Sequence, residues 1–226
     1  MEFLNIKYVI TITLLSAITG LTACSPKTDD PATTPQNANN TAPIASATTT
    51  NQPSNTVNSQ DNRIALAKQA VAIFYQTCVL NAGDEQKVND VARSRHMLQL
   101  NAQQKQTFHF EPEVKTVWGI KTPEGGQYYL ATGDNFCSLK ARFADMNTLI
   151  QAFTKMSQQS ANTHGLTATV VADRAINDTV ASHQKVYTLM KANAPLQYVL
   201  TAQASDSPQI MAQAVMNFRT LSAQPH

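Results

Sequence analysis

Glu111 and Glu113 flank Pro112 just ahead of an alternating stretch. At alternate strand positions they would share a face, and a carboxylate pair is an arrangement suited to general acid–base chemistry. Joined in a cleft to Asp134 or His109, with shifted pKa values, they would mark a hydrolytic site. A solvated strand edge is the simpler reading. Trp118, Tyr128 and Tyr129 offer an aromatic platform for a ligand, although a tryptophan in an alternating strand more often packs in a core. The five histidines are His96, His109, His164, His183 and His226. No two stand at helical ligand spacing, so no metal site is expected. The sequence has no Gly-x-Ser-x-Gly elbow, His-Glu-x-x-His, phosphate-binding glycine loop or Cys-x-x-Cys. No catalytic residue and no cofactor are expected.

The elements that would position these residues begin near residue 62. Asp61 or Asn62 can cap a helix. Ile64, Ala67, Val71, Phe74 and Cys78 then recur at helical spacing on one face. Gly83 ends that helix and Asp84 caps a second, with Val88, Val91 and Met97/Leu98 on its stripe. The Gln-rich residues 101–107 read as a loop. Period two follows. Val114, Thr116, Trp118 and Ile120 alternate, Pro123-Glu124-Gly125-Gly126 turns, and 127–132 returns. Gly133-Asp134-Asn135 turns again into a strand over 136–143. Asp145 caps a third helix carrying Leu149, Phe153 and Met156. Strands are expected over 166–174, 183–192, 196–204 and 209–219, the last two forming a hairpin around Ser205-Asp206-Ser207-Pro208. Leu196, Tyr198, Leu200 and Ala202 would face the core, as would Ile210, Ala212, Ala214, Met216 and Phe218. The expected class is α+β, about three helices packed on a mostly antiparallel sheet, without an internal repeat.

The chain has 226 residues, a net charge of +2, 42% hydrophobic and 14% charged residues. Beyond residue 62 there are 15 basic and 11 acidic side chains. That balance argues against a nucleic-acid partner, which calls for a basic face. Residues 24–61 hold half of the ten prolines, with Ile44 and Val57 the only large apolar residues. Such a segment buries too little surface to offset its ordering entropy and reads as a disordered tether. About 37 residues span roughly 30–35 Å as a coil and ~115 Å in polyproline II. The domain then covers 62–221, and 222–226 form a tail.

Ahead of the tether, Lys7 opens an apolar run from Tyr8 to Ile18 that is too short to span a bilayer and suits the core of a secretory signal. Small residues lead from it to a cysteine. Leu21-Thr22-Ala23-Cys24 resembles the lipobox of bacterial lipoprotein precursors. The resemblance implies a signal peptide over 1–23, cleavage between Ala23 and Cys24, a diacylglyceryl thioether (palmitate-type acylation) on Cys24 and acylation of its amino group. Three acyl chains anchor firmly, each buried CH₂ adding ~0.8 kcal/mol. Inner-membrane retention in this family commonly uses Asp after the cysteine. Ser25 stands there, which implies the outer membrane, with the domain facing the periplasm.

With Cys24 so assigned, Cys78 and Cys137 remain, and an oxidising periplasm implies that they pair. The alternative, a reactive thiol beside His96 or His109, has no local motif. More loosely, Phe74-x-x-x-Cys78-Val79, Val117-Trp118, Cys137-Ser138-Leu139 with Ala144-Asp145, and Leu200-Thr201 with Ser205-Asp206-Ser207-Pro208 resemble a group of small uncharacterised proteobacterial envelope proteins. That resemblance implies a paired-cysteine α+β domain and no activity. The expectation is therefore an anchored binding or interaction domain, whose partner is another envelope protein or peptidoglycan. The rivals are an envelope-polymer hydrolase, an inhibitor of a cell-wall-degrading enzyme, and a plain spacer.

Overall fold

The computed structural model describes residues 59–222, except 108, 109, 112 and 193. The expected signal peptide, Ala23, Cys24, the expected tether up to residue 58, His109 and His226 lie outside the described residues.

Helix α1 (Gln60–Phe74) starts two or three residues earlier than the sequence suggests. Ser59, not Asp61 or Asn62, is its cap, accepting from the Asn62 backbone N–H. Leu66, Ala67, Ala70, Val71 and Phe74 form its buried face. The helix runs on into a π-helical turn, Tyr75–Val79, closed by Leu80 N–H donating to Tyr75 O. The wider turn lets Thr77, Cys78 and Val79 all be buried in succession. Ala82 and Gly83 then take positive φ. Gly83 packs so tightly on Phe218 that a Cβ would lie 2.8 Å from the ring.

Asp84 caps α2 (Glu85–Ser94) as expected, accepting from Lys87 N–H at 3.0 Å. The helix stops at Ser94 rather than reaching Leu98, because His96 turns the chain at φ 54°. Leu98–Gln99 becomes a short strand, β1, and Leu98 is 65% exposed. The expected loop over 101–107 contains a helix, α3 (Ala102–Thr107). Its start is a reciprocal cap: Gln104 N–H donates to Asn101 Oδ1 while Asn101 N–H donates to Gln104 Oε1, both at 2.9 Å.

The fourth helix, α4 (Met146–Thr163), is capped by Asp145 and buries Leu149, Phe153 and Met156 as the sequence predicts. The strands are β2 (Thr116–Lys121), β3 (Gln127–Gly133), β4 (Phe136–Ala141), β5 (Thr167–Asn177), β6 (Ala181–Met190), β7 (Leu196–Ala204) and β8 (Ala214–Ser222). They form one eight-stranded sheet in the order β1-β2-β3-β4-β8-β7-β6-β5, antiparallel at every pairing. Among the described residues the fold is α+β, with four α-helices and a π-helical turn where about three helices are expected.

One sheet face packs against the helices. Leu130, Cys137, Leu139, Tyr187, Leu200, Met216 and Phe218 meet Phe74, Leu149 and Phe153 there. Phe153 lies between Phe74 and Tyr187, with ring centroids 6.3 and 6.2 Å apart. Cys78 and Cys137 form a disulfide in this core, Cα–Cα 5.4 Å, tying the π-helical turn to the central strand β4. Behind β2 and β3, Leu100, Phe110 and Val114 cover Val117, Ala131 and Tyr129 in a second, smaller cluster. Behind β6 and β7, Val186, Thr188, Val199 and Thr201 are only half-buried.

The C-terminal connections differ most from the sequence reading. Strands β7 and β8 form the expected antiparallel hairpin, but its turn extends beyond Ser205–Pro208. Residues 205–213 make a nine-residue connection, and β8 begins only at Ala214. Ile210 and Ala212 therefore lie in a loop rather than facing the core, and Leu196 is 43% exposed.

Candidate functional site

The structure separates the carboxylates that the sequence offered as a pair. Glu113 is bound by Arg219, whose guanidinium stacks on Phe136 at 4.5 Å. The Arg219 hydrogen bond, with one from its own backbone, holds the Glu113 carboxyl below its ordinary value, the wrong direction for a general acid. Glu111 faces Lys140 at 3.8 Å, and Lys140 sits 4.4 Å over the Phe110 ring. Asp134 turns elsewhere, to Lys115, which also reaches Glu85 at 3.1 Å. Each acid thus has its own cation.

The aromatic platform is likewise divided. Trp118 and Tyr128 are buried on the helix side, and Tyr129 lies in the cluster on the opposite face. Trp118 Nε1 donates to Asn89 Oδ1 at 2.8 Å, and the Tyr128 hydroxyl donates to Gln69 Oε1 at 2.7 Å. Burial, and secondarily the Glu124 charge, pushes the Tyr128 hydroxyl well above its ordinary range. Neither ring is free for a ligand. The reactive-thiol alternative falls because both cysteines are in the disulfide.

One side-chain cluster escaped the sequence reading. Asp173 on β5 accepts from Lys185 and lies 2.7 Å from His183 Nε2, both on β6. Lys185 first and His183 second hold the Asp173 carboxyl low. The three line a shallow depression with Ile150 and Thr154 of α4. Strand register creates this cluster, pairing Asp173 with Lys185 and Ala175 with His183. No spacing along the chain signals it.

The connection 205–213 forms one wall of a groove. Gln213 is buried, and its amide pins the loop. Its Nε2 donates to Ser207 O at 3.0 Å, and its Oε1 accepts from Ala144 N–H at 3.2 Å. Asp206 Oδ1 accepts from Met146 N–H at the start of α4 and from Arg63 of α1. Ser205 Oγ donates to Ala181 O at 2.6 Å and accepts from Ser207 N–H. Binding residues are disproportionately carried on loops that a rigid scaffold positions. Here Ser205 and Gln213 are buried, while Pro208 and Met211 are exposed and Ile210 is half-buried. Pro208, Ile210 and Met211 line a groove of about 670 Å³ with Phe143, Arg63 and Arg142. Met211 is 48% exposed. Arg63 also donates to Ala144 O at 2.8 Å, so its guanidinium is committed to the scaffold.

Past the other ends of the strands, Asp84, Glu85, Lys87, Asp134 and Tyr198 line a second groove of about 570 Å³. Its charges largely answer one another, as in the Lys115 bridge between Glu85 and Asp134. Among the described residues no group of three His, Cys, Asp or Glu side chains is placed to hold a metal ion. No described helix is long and apolar enough to cross a membrane. No protein-family model matches the chain, and neither a curated protein nor a solved structure matches it.

Proposed function

We propose that this chain is a lipoprotein of the outer membrane, anchored through Cys24, whose periplasmic domain binds a partner through the groove at residues 205–213. The anchor rests on the signal-like run and Leu21-Thr22-Ala23-Cys24. The observation that carries the binding role is the pinned loop. Buried Gln213, with Asp206 and Ser205, fixes nine residues so that Ile210 and Met211 stay at the surface beside Arg142. Surface methionine in a preformed groove suits recognition of another chain. The partner class is another envelope protein or the peptide portion of peptidoglycan, and an inhibitor of a cell-wall-degrading enzyme is one form such a binder takes.

Hydrolysis of an envelope polymer is less well supported, since Glu111, Glu113 and Asp134 are each held by a separate cation. A photo-crosslinking residue at Met211 in intact cells tests the proposal, with one at Lys155 on α4 as control. A defined adduct from position 211 and none from 155 is expected. Identical adducts from both positions, or none from 211, would contradict a binding role for this groove.

A further inference from the structure

We infer that the groove receives the end of a peptide chain, its terminal carboxylate on the Arg142 guanidinium and its last apolar side chain against Met211, Ile210 and Phe143. This rests on the groove being a binding surface. Charge is the first argument. The lining holds two arginines and one aspartate. Arg63 and Asp206 neutralise each other. Arg142 is exposed, donates to the neutral Gln127 Oε1 at 3.2 Å, and has no carboxylate within salt-bridge distance among the described residues. The groove therefore keeps one uncancelled positive charge, at its rim.

Preorganisation is the second argument. The Arg142 guanidinium lies 5.3 Å from the Phe143 ring centroid, which favours a stacked and restrained fork. A planar, restrained fork matches a carboxylate better than a point charge does. Shape is the third. Pro208, Ile210 and Met211 supply an apolar wall next to that cation, on a loop whose backbone is already tied down by Gln213. A ligand with an anionic end and an adjacent apolar side chain satisfies both halves. A peptide carboxy terminus is such a ligand.

The probe is an N-acetylated tripeptide ending in leucine with a free carboxylate, against the same peptide ending in a carboxamide. The full lipid-anchored chain, held in nanodiscs and labelled at its methionine methyls, is titrated with each. The acid should shift the Met211 methyl signal saturably, and the amide should bind at least about ten-fold more weakly, as loss of one charge-assisted pair implies. Arg142→Gln should weaken the acid to the level of the amide, and Arg142→Lys should fall between. Ile210→Ala should weaken both peptides, still read at the Met211 methyl. Equal binding of acid and amide would overturn the carboxylate assignment while leaving the groove as a binding surface. A Met211 signal that moves with neither peptide would overturn the inference outright, and the in-cell adduct at position 211 would then decide separately whether the groove binds anything.

Discussion

Asp145 joins two helices and a loop through one carboxylate. It accepts from Thr148 N–H and from Gln60 Nε2, both at 2.7 Å, and Arg63 lies nearby. Burial alone raises its pKa. The hydrogen bonds from Thr148 and Gln60, with the Arg63 charge, outweigh that and leave it below 3.8. A carboxyl lowered in the folded state stabilises fully above its unfolded pKa, and the contribution is lost as pH falls from there through the folded value. Thermal melts at pH 7 and pH 3 should therefore show a smaller acid loss for Asp145→Asn than for the native chain. At pH 7 the variant should be less stable by about 1–2 kcal/mol, since the acceptor for Thr148 N–H remains but the charge and the acceptor for Gln60 Nε2 are gone. Asn89 is the buried counterpart, accepting from Trp118 Nε1 and from Thr132 Oγ at 3.3 Å. Asn89→Ala strands two buried donors and should cost about 2–3 kcal/mol in denaturant unfolding, with altered Trp118 fluorescence. The Asp145 cap was legible because its helix begins in sequence beside it. The Asn89 role was not, because its partners lie 29 and 43 residues away.

Helices α1 and α4 were readable from their apolar spacing, which local sequence dictates. The loop 205–213 was not. Ile210, Ala212, Ala214, Met216 and Phe218 alternate without a break, so period two runs straight through the loop into β8. What ends the strand is polar and tertiary: one last bond, Ser205 N–H to Gln213 O, follows the β7–β8 ladder, and the Gln213 side chain then holds Ser207 O and Ala144 N–H. Gln213→Ala should lower stability by about 1–3 kcal/mol and open 205–213 to protease cleavage, read by peptide mapping. Intact protection of that segment would show that Gln213 does not hold it. The disulfide acts between elements in a comparable way, joining the π-helical turn to β4 across a separation of 59 residues. The Cys78→Ser/Cys137→Ser double variant should lose about 2–5 kcal/mol, measured by urea unfolding against the oxidised native chain.

Across the whole molecule, strand order is what sequence patterning conceals. From the central β4·β8 pair, β4-β3-β2 and β8-β7-β6 run outward in matching descending order, one set after α1 and the other after α4. Nothing in the residues repeats between the sets, so the symmetry belongs to the topology and comes from non-local pairing. The same holds for the groove, whose walls come from α1, the end of β4 and the β7–β8 connection. Ahead of the domain, the Pro/Thr/Asn-rich composition up to residue 58 predicts that limited proteolysis of the mature protein cuts there first and leaves a core beginning near Ser59. A first cut within 167–204 would count against that boundary. The proposed periplasmic role depends on where the chain is attached, and metabolic labelling with a palmitate analogue asks this most directly. The native protein should incorporate label and Cys24→Ala should not. Unchanged labelling of Cys24→Ala, or none in the native protein, would contradict the lipid anchor on which that role rests.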